Sequence, residues 1–398
     1  MAASRLNNIA SHLAPPKIAE NAIFTRSPDD VVITLAIRTP LCKASKGGFK
    51  DTGLDTMVFK LLQQVKTRMS IDASLVEDIC LGNVNEPKAA YYCRAAALAA
   101  GFPVSAGAST VNRFCASGLK AVQDIANQIS AGDIDIGLAI GAESLTFAGP
   151  RLTRPFAKEI LEADQHAADC MNPMGQTSEA VAEEFGIARE MQDAHAAESH
   201  QRAEHAQKSG WFDDEIVPIT VGPRWGTTAE SLSKVRPAFP EFGNRSTGGN
   251  SGQLTDGAGA ILLMRRSKAV ELGQPILAKF CGATVVGLEP RIMGMGPSIA
   301  IPRILARVGI SLVDVDVVEL NEAFASMAVY CQKKLGLDRK KMNIRGGAIA
   351  VGHPLGCTGI RQIVTGLSEC RRGGGRVLLT SMCIGTGQGM AAVFISEA

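Results

Sequence analysis

The sequence has little net charge, no long apolar run and no paired-cysteine motif. Its 41 Lys and Arg residues nearly balance 39 Asp and Glu, leaving a net charge of +2, so overall charge does not point to nucleic acid as a partner. No apolar stretch reaches the roughly 20 residues that a membrane-spanning helix needs. The ten cysteines include no Cys-x-x-Cys pair. We therefore expect neither a disulfide scaffold nor a zinc site, but reduced thiols in a reducing compartment.

The chain is long enough for two ordinary cores or one divided core, with 398 residues of which 46% are hydrophobic. Short apolar runs alternate with helical patterns from residue 30 to about 144, and the same rhythm returns from about 279 to 397. This alternation predicts an α/β protein with a parallel or mixed sheet and helical crossovers. Its return predicts an internal duplication of architecture.

One stretch organises the chain, Val111-Asn112-Arg113-Phe114-Cys115-Ala116-Ser117-Gly118-Leu119-Lys120. A strand-like run ends there, and an amphipathic helix is predicted to begin at once, with its apolar positions at Leu119, Val122, Ile125 and Ile129. Cys115 is therefore expected in the helix's first turn, where free N–H groups and the positive end of the dipole favour a thiolate. A lone buried cysteine is more often structural. Three further reactive stretches favour a nucleophile.

These three stretches lie near the C-terminus, and each carries a polar or reactive side chain at the end of a predicted strand. They are Asn321-Glu322-Ala323-Phe324-Ala325, the Gly-rich turn from 346 to 359 that contains His353, and Ser381-Met382-Cys383-Ile384-Gly385 with the residues to 389. Separately, Asn321 could be a helix N-cap, His353 could cap a loop and Cys383 could be a core residue. Together they match the place where open α/β sheets put active sites.

With these four stretches, in this order and at this spacing, the chain resembles the thiolase family, most closely its peroxisomal 3-ketoacyl-CoA members, from about Val31 to the C-terminus. The resemblance implies two similar βαβαβαββ halves packed as a five-layered α-β-α-β-α core with an inserted loop domain. We expect a targeting segment at 1–29, an N-terminal half at 30–144 and 253–272, a loop domain at 145–252 and a C-terminal half at 273–398.

The resemblance also implies thiolytic cleavage of 3-ketoacyl-CoA by CoA in fatty-acid β-oxidation. Cys115 would take up the acyl group, with His353 as its base. Cys383 would be the acid toward the enolate and then the base toward the CoA thiol. Asn321 would hold a water facing the enolate oxygen, and the N–H groups of Cys115 and Gly385 would form a second oxyanion hole. No metal or bound cofactor is expected, since CoA is a substrate.

The same resemblance implies a CoA channel, lined by Met174, Arg224, Ser231, Phe239, Met293 and Phe324. Arg224 would stack on the adenine. Two departures bear on CoA affinity. Gly252 stands where the family usually has serine near the thioester end of the pantetheine, and the segment leading to Arg224 is shorter than in peroxisomal relatives.

Three histidines, His195, His200 and His205, follow helical spacing in an Ala/Glu/Gln-rich segment. We expect them to be solvated rather than metal ligands.

The N-terminal residues Arg5-Leu6 and His12-Leu13, five residues apart, resemble a type-2 peroxisomal targeting signal. In front of a thiolase-like chain this predicts an import receptor as a partner and the peroxisome matrix as the location. By resemblance the chain is expected to form at least a homodimer, although its sequence has no interface signature.

Three alternatives remain open at this stage. A biosynthetic acetoacetyl-CoA thiolase would use the same residues in the other direction, and the targeting-like segment argues against it. A decarboxylating ketoacyl synthase would share the cysteine and histidine but would not need Cys383. A non-catalytic CoA-binding or lipid-binding protein on this scaffold is compatible with Gly252. The sequence does not specify acyl chain length, preferred direction or redox regulation.

Overall fold

The structure is a computed structural model and describes residues 22–148, 156–217 and 228–398. The strands in these ranges are β1 (Val31–Arg38), β2 (Cys42–Lys43), β3 (Asp78–Gly82), β4 (Gly107–Val111), β5 (Ile136–Glu143), β6 (Thr255–Arg265), β7 (Ala278–Gly287), β8 (Val317–Leu320), β9 (Val377–Ile384) and β10 (Gln388–Ser396). The α-helices are α1 (Leu54–Arg68), α2 (Ala89–Ala99), α3 (Ser117–Ala131), α4 (Lys158–Ala163), α5 (Gln165–Asp169), α6 (Met174–Glu184), α7 (Arg189–Lys208), α8 (Ala229–Ser233), α9 (Arg266–Glu271), α10 (Gly296–Val308), α11 (Ala325–Leu335), α12 (Ala348–Val351) and α13 (Leu355–Gly373). Short 3₁₀ helices lie at Ala22–Phe24, Ala73–Leu75, Pro290–Met295 and Leu312–Asp314.

The strands pair in the order β4-β3-β5-β6-β1-β7-β10-β9-β8, and β2 adds to β6. In the first half, β3 is parallel to β4 and β5, while β6 runs antiparallel to β5 and β1. The second half repeats this pattern. There β8 is parallel to β9, and β10 runs antiparallel to β9 and β7. Only Val32 with Lys279 and Ile33 with Ala278 join the halves through β1 and β7, so two similar sheets meet at a narrow seam.

The two sheets and the helices that pack on them form five layers. Helices α1 and α2 cover the outer face of the first half in one apolar cluster. Helices α3 and α13 lie between the two sheets in a second cluster, and α10 and α11 cover the outer face of the second half in a third. The order is helix, sheet, helix, sheet, helix, as the resemblance implied. No helix in the described ranges is long and apolar enough to cross a membrane.

Helix α3 has the apolar face that its spacing predicts. Leu119, Val122, Ile125 and Ile129 are all fully buried in the middle layer. The helix ends at Gly132, whose φ of 86° is left-handed, a conformation that costs glycine little.

The two central helices touch at their N-terminal ends through glycine. A Cβ added to Gly118 of α3 would lie 2.5 Å from the carbonyl oxygen of Gly356, and a Cβ added to Gly359 of α13 would lie 2.3 Å from the backbone nitrogen of Leu119. Real Cβ atoms do not approach so closely, so only glycine allows this contact. Since Cys115 and His353 each precede one of these helices, the contact brings their turns together.

Candidate functional site

The turn that carries Cys115 is fixed by bonds between side chains and backbone. Phe114 has a left-handed φ of 46°, and its N–H donates to Asn112 Oδ1 at 2.9 Å. Ser117 Oγ accepts from the Arg113 N–H at 2.9 Å and donates to the Phe114 carbonyl at 2.7 Å. A positive φ is costly for a bulky residue. These bonds hold that conformation and direct the chain from β4 into α3.

Cys115 lies two residues before Ser117, the first residue of α3. The expectation that it lies within the helix's first turn was therefore wrong by two residues. The reason is the bend at Phe114, which delays the first helical residue. Cys115 is buried, with 8% of its surface exposed. It still faces the positive end of the helix, where negative charge on sulfur is favoured.

His353 occupies the matching position two residues before Leu355, the first residue of α13. Its Nδ1 lies 2.7 Å from Thr358 Oγ1, and that hydroxyl donates to the Pro354 carbonyl at 3.0 Å. Because the hydroxyl proton of Thr358 is already used, Oγ1 accepts from an Nδ1–H. Nε2 then carries the lone pair. It lies 3.5 Å from Asn321 Nδ2, which can donate to it.

This tautomer predicts the effect of changing Thr358. Thr358→Val removes the acceptor for Nδ1–H and frees the ring to adopt the other tautomer, so we expect kcat for turnover through His353 to fall about 10- to 100-fold. Thr358→Ser keeps the hydroxyl and should stay near the unchanged value. ¹⁵N NMR of histidine-labelled protein reports directly which ring nitrogen carries the proton. An unprotonated Nδ1 in the unchanged protein would contradict the assignment.

Burial, and to a smaller extent the positive charge of Arg361, lower the pKa of His353 to about 4. The ring is therefore neutral near pH 7 and available as a base. In the unfolded chain its pKa is about 6.5. Because the folded value is lower, protonation favours unfolding, and this group's contribution to stability is complete above pH 6.5 and is lost as the pH falls toward 4.

We therefore expect the free energy of unfolding to fall more steeply between pH 6.5 and 4 in the unchanged protein than in His353→Gln, which does not titrate. Denaturant titrations of both proteins across this range measure the difference. Parallel pH profiles would mean that His353 is not buried in its neutral form.

Cys383 lies within β9 and is 1% exposed. Its sulfur is 3.8 Å from the Met327 thioether. Burial raises the pKa of Cys383 well above its usual value, and the neighbouring thiols Cys115 and Cys331 raise it further. The group is held as a thiol, which suits a proton donor.

Asn321 follows β8, and its N–H donates to the Ser381 carbonyl at 2.9 Å. It does not cap α11, because Phe324 is the N-cap of that helix. Its Oδ1 is buried and has no hydrogen-bond partner among the described residues. A buried amide oxygen that lacks a partner suggests a bound water or a substrate group.

Gly385 follows β9 in the turn to β10. The atoms nearest to a Cβ built on it are the Met174 sulfur at 3.8 Å and the Phe114 ring at 3.9 Å. Gly385 therefore lies beside the Cys115 turn. Nearby, a Cβ on Gly252 would lie 3.2 Å from His353 Cβ and 3.1 Å from the Glu322 carbonyl. A serine at position 252 would thus press on the histidine unless these neighbours shift by a few tenths of an ångström.

Four of the proposed CoA-channel residues form one apolar cluster with Cys383. Met293 and Phe324 belong to it, and Met174 and Phe239 pack against it. The Phe239 and Phe324 rings meet edge to face with centroids 6.1 Å apart. The structure therefore brings these four side chains to the sulfur that would serve as acid and base.

Ser231 is not among them. It is exposed, and it forms a capping box with Thr228 at the start of α8. Arg224 and residues 218–223 of the shortened segment before it lie outside the described residues, as does the N-terminal Arg5-Leu6 signal.

The prediction that His195 is solvated was wrong. His195 is 6% exposed, and its Nε2 lies 3.0 Å from Glu322 Oε1. Helix α7 packs through small side chains, with Ala196, Ala203 and Ala206 buried, so its polar residues also reach the interior. His200 is half-buried and His205 is exposed.

Two residues near the site were missed by sequence reasoning. Thr358 follows His353 by five residues within the same Gly-rich stretch, and a hydroxyl at that distance is a recognisable signal. Glu322 stands inside the Asn321 stretch, but its partners are distant in sequence and leave no local pattern.

Comparison with known proteins gives one family model for each of the two halves of the chain. The family model described as thiolase, N-terminal domain, matches residues 31–267, and thiolase, C-terminal domain, matches residues 274–396. The peroxisomal 3-ketoacyl-CoA thiolase of Yarrowia lipolytica is 46% identical over 99% of this chain and 100% of its own length. The human peroxisomal enzyme is 47% identical over 92% of this chain and 91% of its own length.

Two solved structures are also similar. The dimeric peroxisomal thiolase of Saccharomyces cerevisiae superposes with a TM-score of 0.90 at 44% identity, covering 95% of this chain and all of that one. Human mitochondrial 3-ketoacyl-CoA thiolase in complex with CoA superposes with a TM-score of 0.84 at 33% identity, covering 93% of this chain and 98% of that one.

Proposed function

Because the chain belongs to the thiolase family, we propose that it cleaves 3-ketoacyl-CoA with CoA, giving acetyl-CoA and an acyl-CoA two carbons shorter. One observation carries this proposal. Over nearly the full chain it is 43–47% identical to enzymes named peroxisomal 3-ketoacyl-CoA thiolases. The chain is thus an acyltransferase of fatty-acid β-oxidation, and the same relatives assign it to the peroxisome.

We assign the first half of the reaction to Cys115 and His353. Nε2 of His353 takes the proton from the Cys115 thiol, and the thiolate attacks C3 of the substrate. The bond between C2 and C3 breaks, and its electron pair leaves as the acetyl-CoA enolate. The Cys383 thiol protonates that carbon. The high pKa of this thiol supports the role, since it remains protonated until the enolate forms.

In the second half, the Cys383 thiolate takes the proton of the incoming CoA thiol. The CoA thiolate attacks the acyl carbon and expels Cys115, which recovers its proton from His353. The N–H groups of Cys115 and Gly385 would stabilise the oxyanion on the acyl carbon. His353 and a water held by Asn321 would face the enolate oxygen. The position of Gly385 beside the Cys115 turn and the unpartnered Oδ1 of Asn321 support these two assignments.

CoA enters as a substrate, and we assign its pantetheine channel to Met174, Phe239, Met293 and Phe324. Their common cluster with Cys383 supports this assignment. Arg224 and Ser231 would contact the nucleotide end of CoA.

We also propose the domain division 30–144 with 253–272, then 145–252, then 273–398. The boundary between the two family models, at 267 and 274, supports the last of these limits.

Residues 1–29 would carry the targeting signal, which an import receptor would bind. A fluorescent protein fused behind residues 1–29 should enter peroxisomes, and a fusion with Leu6 and His12 changed to Arg and Asp should stay outside.

A second function is favoured by one observation. The acetyl-CoA acetyltransferase of Bacillus anthracis superposes with a TM-score of 0.82 at 35% identity over 92% of this chain. A short-chain thiolase that works on acetoacetyl-CoA is therefore the alternative.

The deciding experiment measures CoA-dependent cleavage of acetoacetyl-CoA and of a long-chain 3-ketoacyl-CoA. Cleavage of the long substrate supports the β-oxidation enzyme, and cleavage of acetoacetyl-CoA alone supports the alternative. Binding of CoA without either cleavage would overturn both.

The outer edge of β4 supports a homodimer. This edge has no neighbouring strand among the described residues, and beside it Tyr91 and Val104 are 79% and 80% exposed. An unpaired edge flanked by apolar side chains is a typical interface. We expect Tyr91→Asp with Val104→Asp to convert dimer to monomer in light scattering. Val313→Asp, equally exposed at 82% beyond the opposite end of the sheet, should leave the dimer intact. A dimer that survives the double change would place the interface elsewhere.

A further inference from the structure

Glu322 is a buried carboxylate that the mechanism above does not use. Its Oε1 accepts from His195 Nε2 at 3.0 Å and from Asn343 Nδ2 at 2.9 Å. Its Oε2 accepts from Ser199 Oγ at 2.7 Å and from the Ile349 N–H at 3.2 Å. With 1% exposure it has no water to replace these four donors.

The donors come from three separate segments. Helix α7, within the 145–252 region, supplies two of them, the loop before α12 supplies a third, and the first turn of α12 supplies the fourth. Glu322 itself directly follows Asn321. One carboxylate therefore joins the catalytic amide, the segment that leads to His353, and a helix of the inserted region.

The junction leaves no room for adjustment. A Cβ on Gly347 would lie 2.3 Å from Glu322 Cδ, and the Gly347 N–H donates to Ser199 Oγ at 3.0 Å. Asn343 has a left-handed φ of 47°, and its side chain bonds both the N–H and the carbonyl of Leu320 at 2.9 and 2.8 Å. The bonds to Leu320 fix the end of β8 immediately before Asn321.

The carboxylate remains charged. Burial acts to raise the pKa of Glu322, but the hydrogen bond and charge of His195, with the bonds from Asn343 and Ser199, lower it to about 2. Four hydrogen bonds to one ionised carboxylate hold it firmly, because bonds to a charged acceptor are stronger than neutral ones. A neutral amide in its place would accept through only one oxygen and would turn its NH₂ group toward another donor.

From this geometry we infer that Glu322 is a positioning residue, which fixes the Asn321 amide relative to His353 and makes that alignment depend on the position of helix α7. The inference rests on the proposed function, because Asn321 is expected to act only when the enolate forms. The oxyanion that forms on the acyl carbon is stabilised instead by the N–H groups of Cys115 and Gly385. Misalignment of Asn321 should therefore slow carbon–carbon cleavage and spare acyl transfer.

Two reactions of the full-length protein separate these steps. Thiolysis of a 3-ketoacyl-CoA requires the enolate. Exchange of labelled CoA into acetyl-CoA passes through acetyl-Cys115 but breaks no carbon–carbon bond. For Glu322→Gln we expect kcat of thiolysis to fall about 10- to 100-fold, a loss typical of a group displaced by about 1 Å, while exchange stays within about threefold. The KM for CoA should change little.

Two milder changes on α7 keep the test informative if Glu322→Gln folds poorly. Ser199→Ala removes one donor and should lower thiolysis relative to exchange by about 3- to 10-fold. His195→Gln retains an N–H donor for the carboxylate and should restore most of the activity that His195→Leu loses. Gln201→Ala, on the exposed face of the same helix, is the matched control and should behave as the unchanged protein.

Equal loss of thiolysis and exchange in Glu322→Gln and Ser199→Ala would reduce Glu322 to a packing role and overturn the inference, as would unchanged rates of both. If the unchanged protein exchanges CoA or binds it but cleaves no 3-ketoacyl-CoA, the proposed function fails instead, and the two failures are distinguishable.

Discussion

Replacing Cys115 with alanine is expected to abolish thiolysis, lowering kcat by at least about 10⁴-fold. The substitution removes the sulfur that carries the acyl group. Cys357 lies four residues after His353, in the first turn of α13, but it is fully buried and burial raises the pKa of its thiol to about 12, so it should not replace Cys115. Loss of a nucleophile removes the covalent route altogether, since the remaining groups can only bind and polarise the substrate. CoA binding should persist, because the channel cluster is untouched.

The measurement pairs steady-state cleavage with mass spectrometry of the protein after exposure to acetyl-CoA. The unchanged protein should gain one acetyl group on Cys115, and Cys115→Ala should gain none. Cys281→Ala is the control, since Cys281 lies on β7 away from the site and should keep full activity. Residual cleavage above about a hundredth of the normal rate in Cys115→Ala would assign the nucleophile to another group.

Gly359→Ala, which adds one methyl group in the central layer, should strongly lower the free energy of unfolding. The added Cβ would lie 2.3 Å from the Leu119 nitrogen, and that nitrogen belongs to helix backbone that cannot turn aside. Overpacking of a close helix contact costs about 3 kcal/mol or more when the backbone must move. Because α3 and α13 carry Cys115 and His353 at their starts, the same displacement should also lower kcat.

The control is Gly373→Ala at the end of the same helix. The nearest atom to its added Cβ is Glu369 Oε1 at 3.6 Å, which is an ordinary contact. Alanine there should be neutral or add a few tenths of a kcal/mol through helix propensity. Denaturant midpoints and activity of both variants provide the test. If Gly359→Ala matched Gly373→Ala in stability, the close approach of α3 and α13 would be wrong.

Sequence patterns predicted the alternation of strands and helices because most of the strands are buried on both faces and appear as apolar runs, although β4 is largely exposed. Strands β1 and β9, for example, consist mainly of apolar residues. The helix after Cys115 followed from four apolar positions. Sequence patterns did not predict the first residue of this helix, because the bend at Phe114 moves it to Ser117.

The site was predicted in its parts and not in its connections. Cys115, His353 and Cys383 stand in short, distinctive stretches, so their residue types indicate chemistry directly. The bond between His195 and Glu322 joins residues 127 positions apart, and a helix that buries alanine on one face has too little hydrophobic periodicity to predict burial. The proton position on His353 depends on where Thr358 directs its hydroxyl, which no spacing specifies.

The order of strands has a consequence for synthesis of the chain. Strand β6 lies between β5 and β1, yet it is made only after residues 144–254 have been synthesised. Until then both neighbours expose unpaired backbone, and an open strand edge invites pairing with other chains. A nascent chain halted before residue 255 should therefore bind chaperones and aggregate, and one released after residue 272 should protect its first sheet from proteolysis.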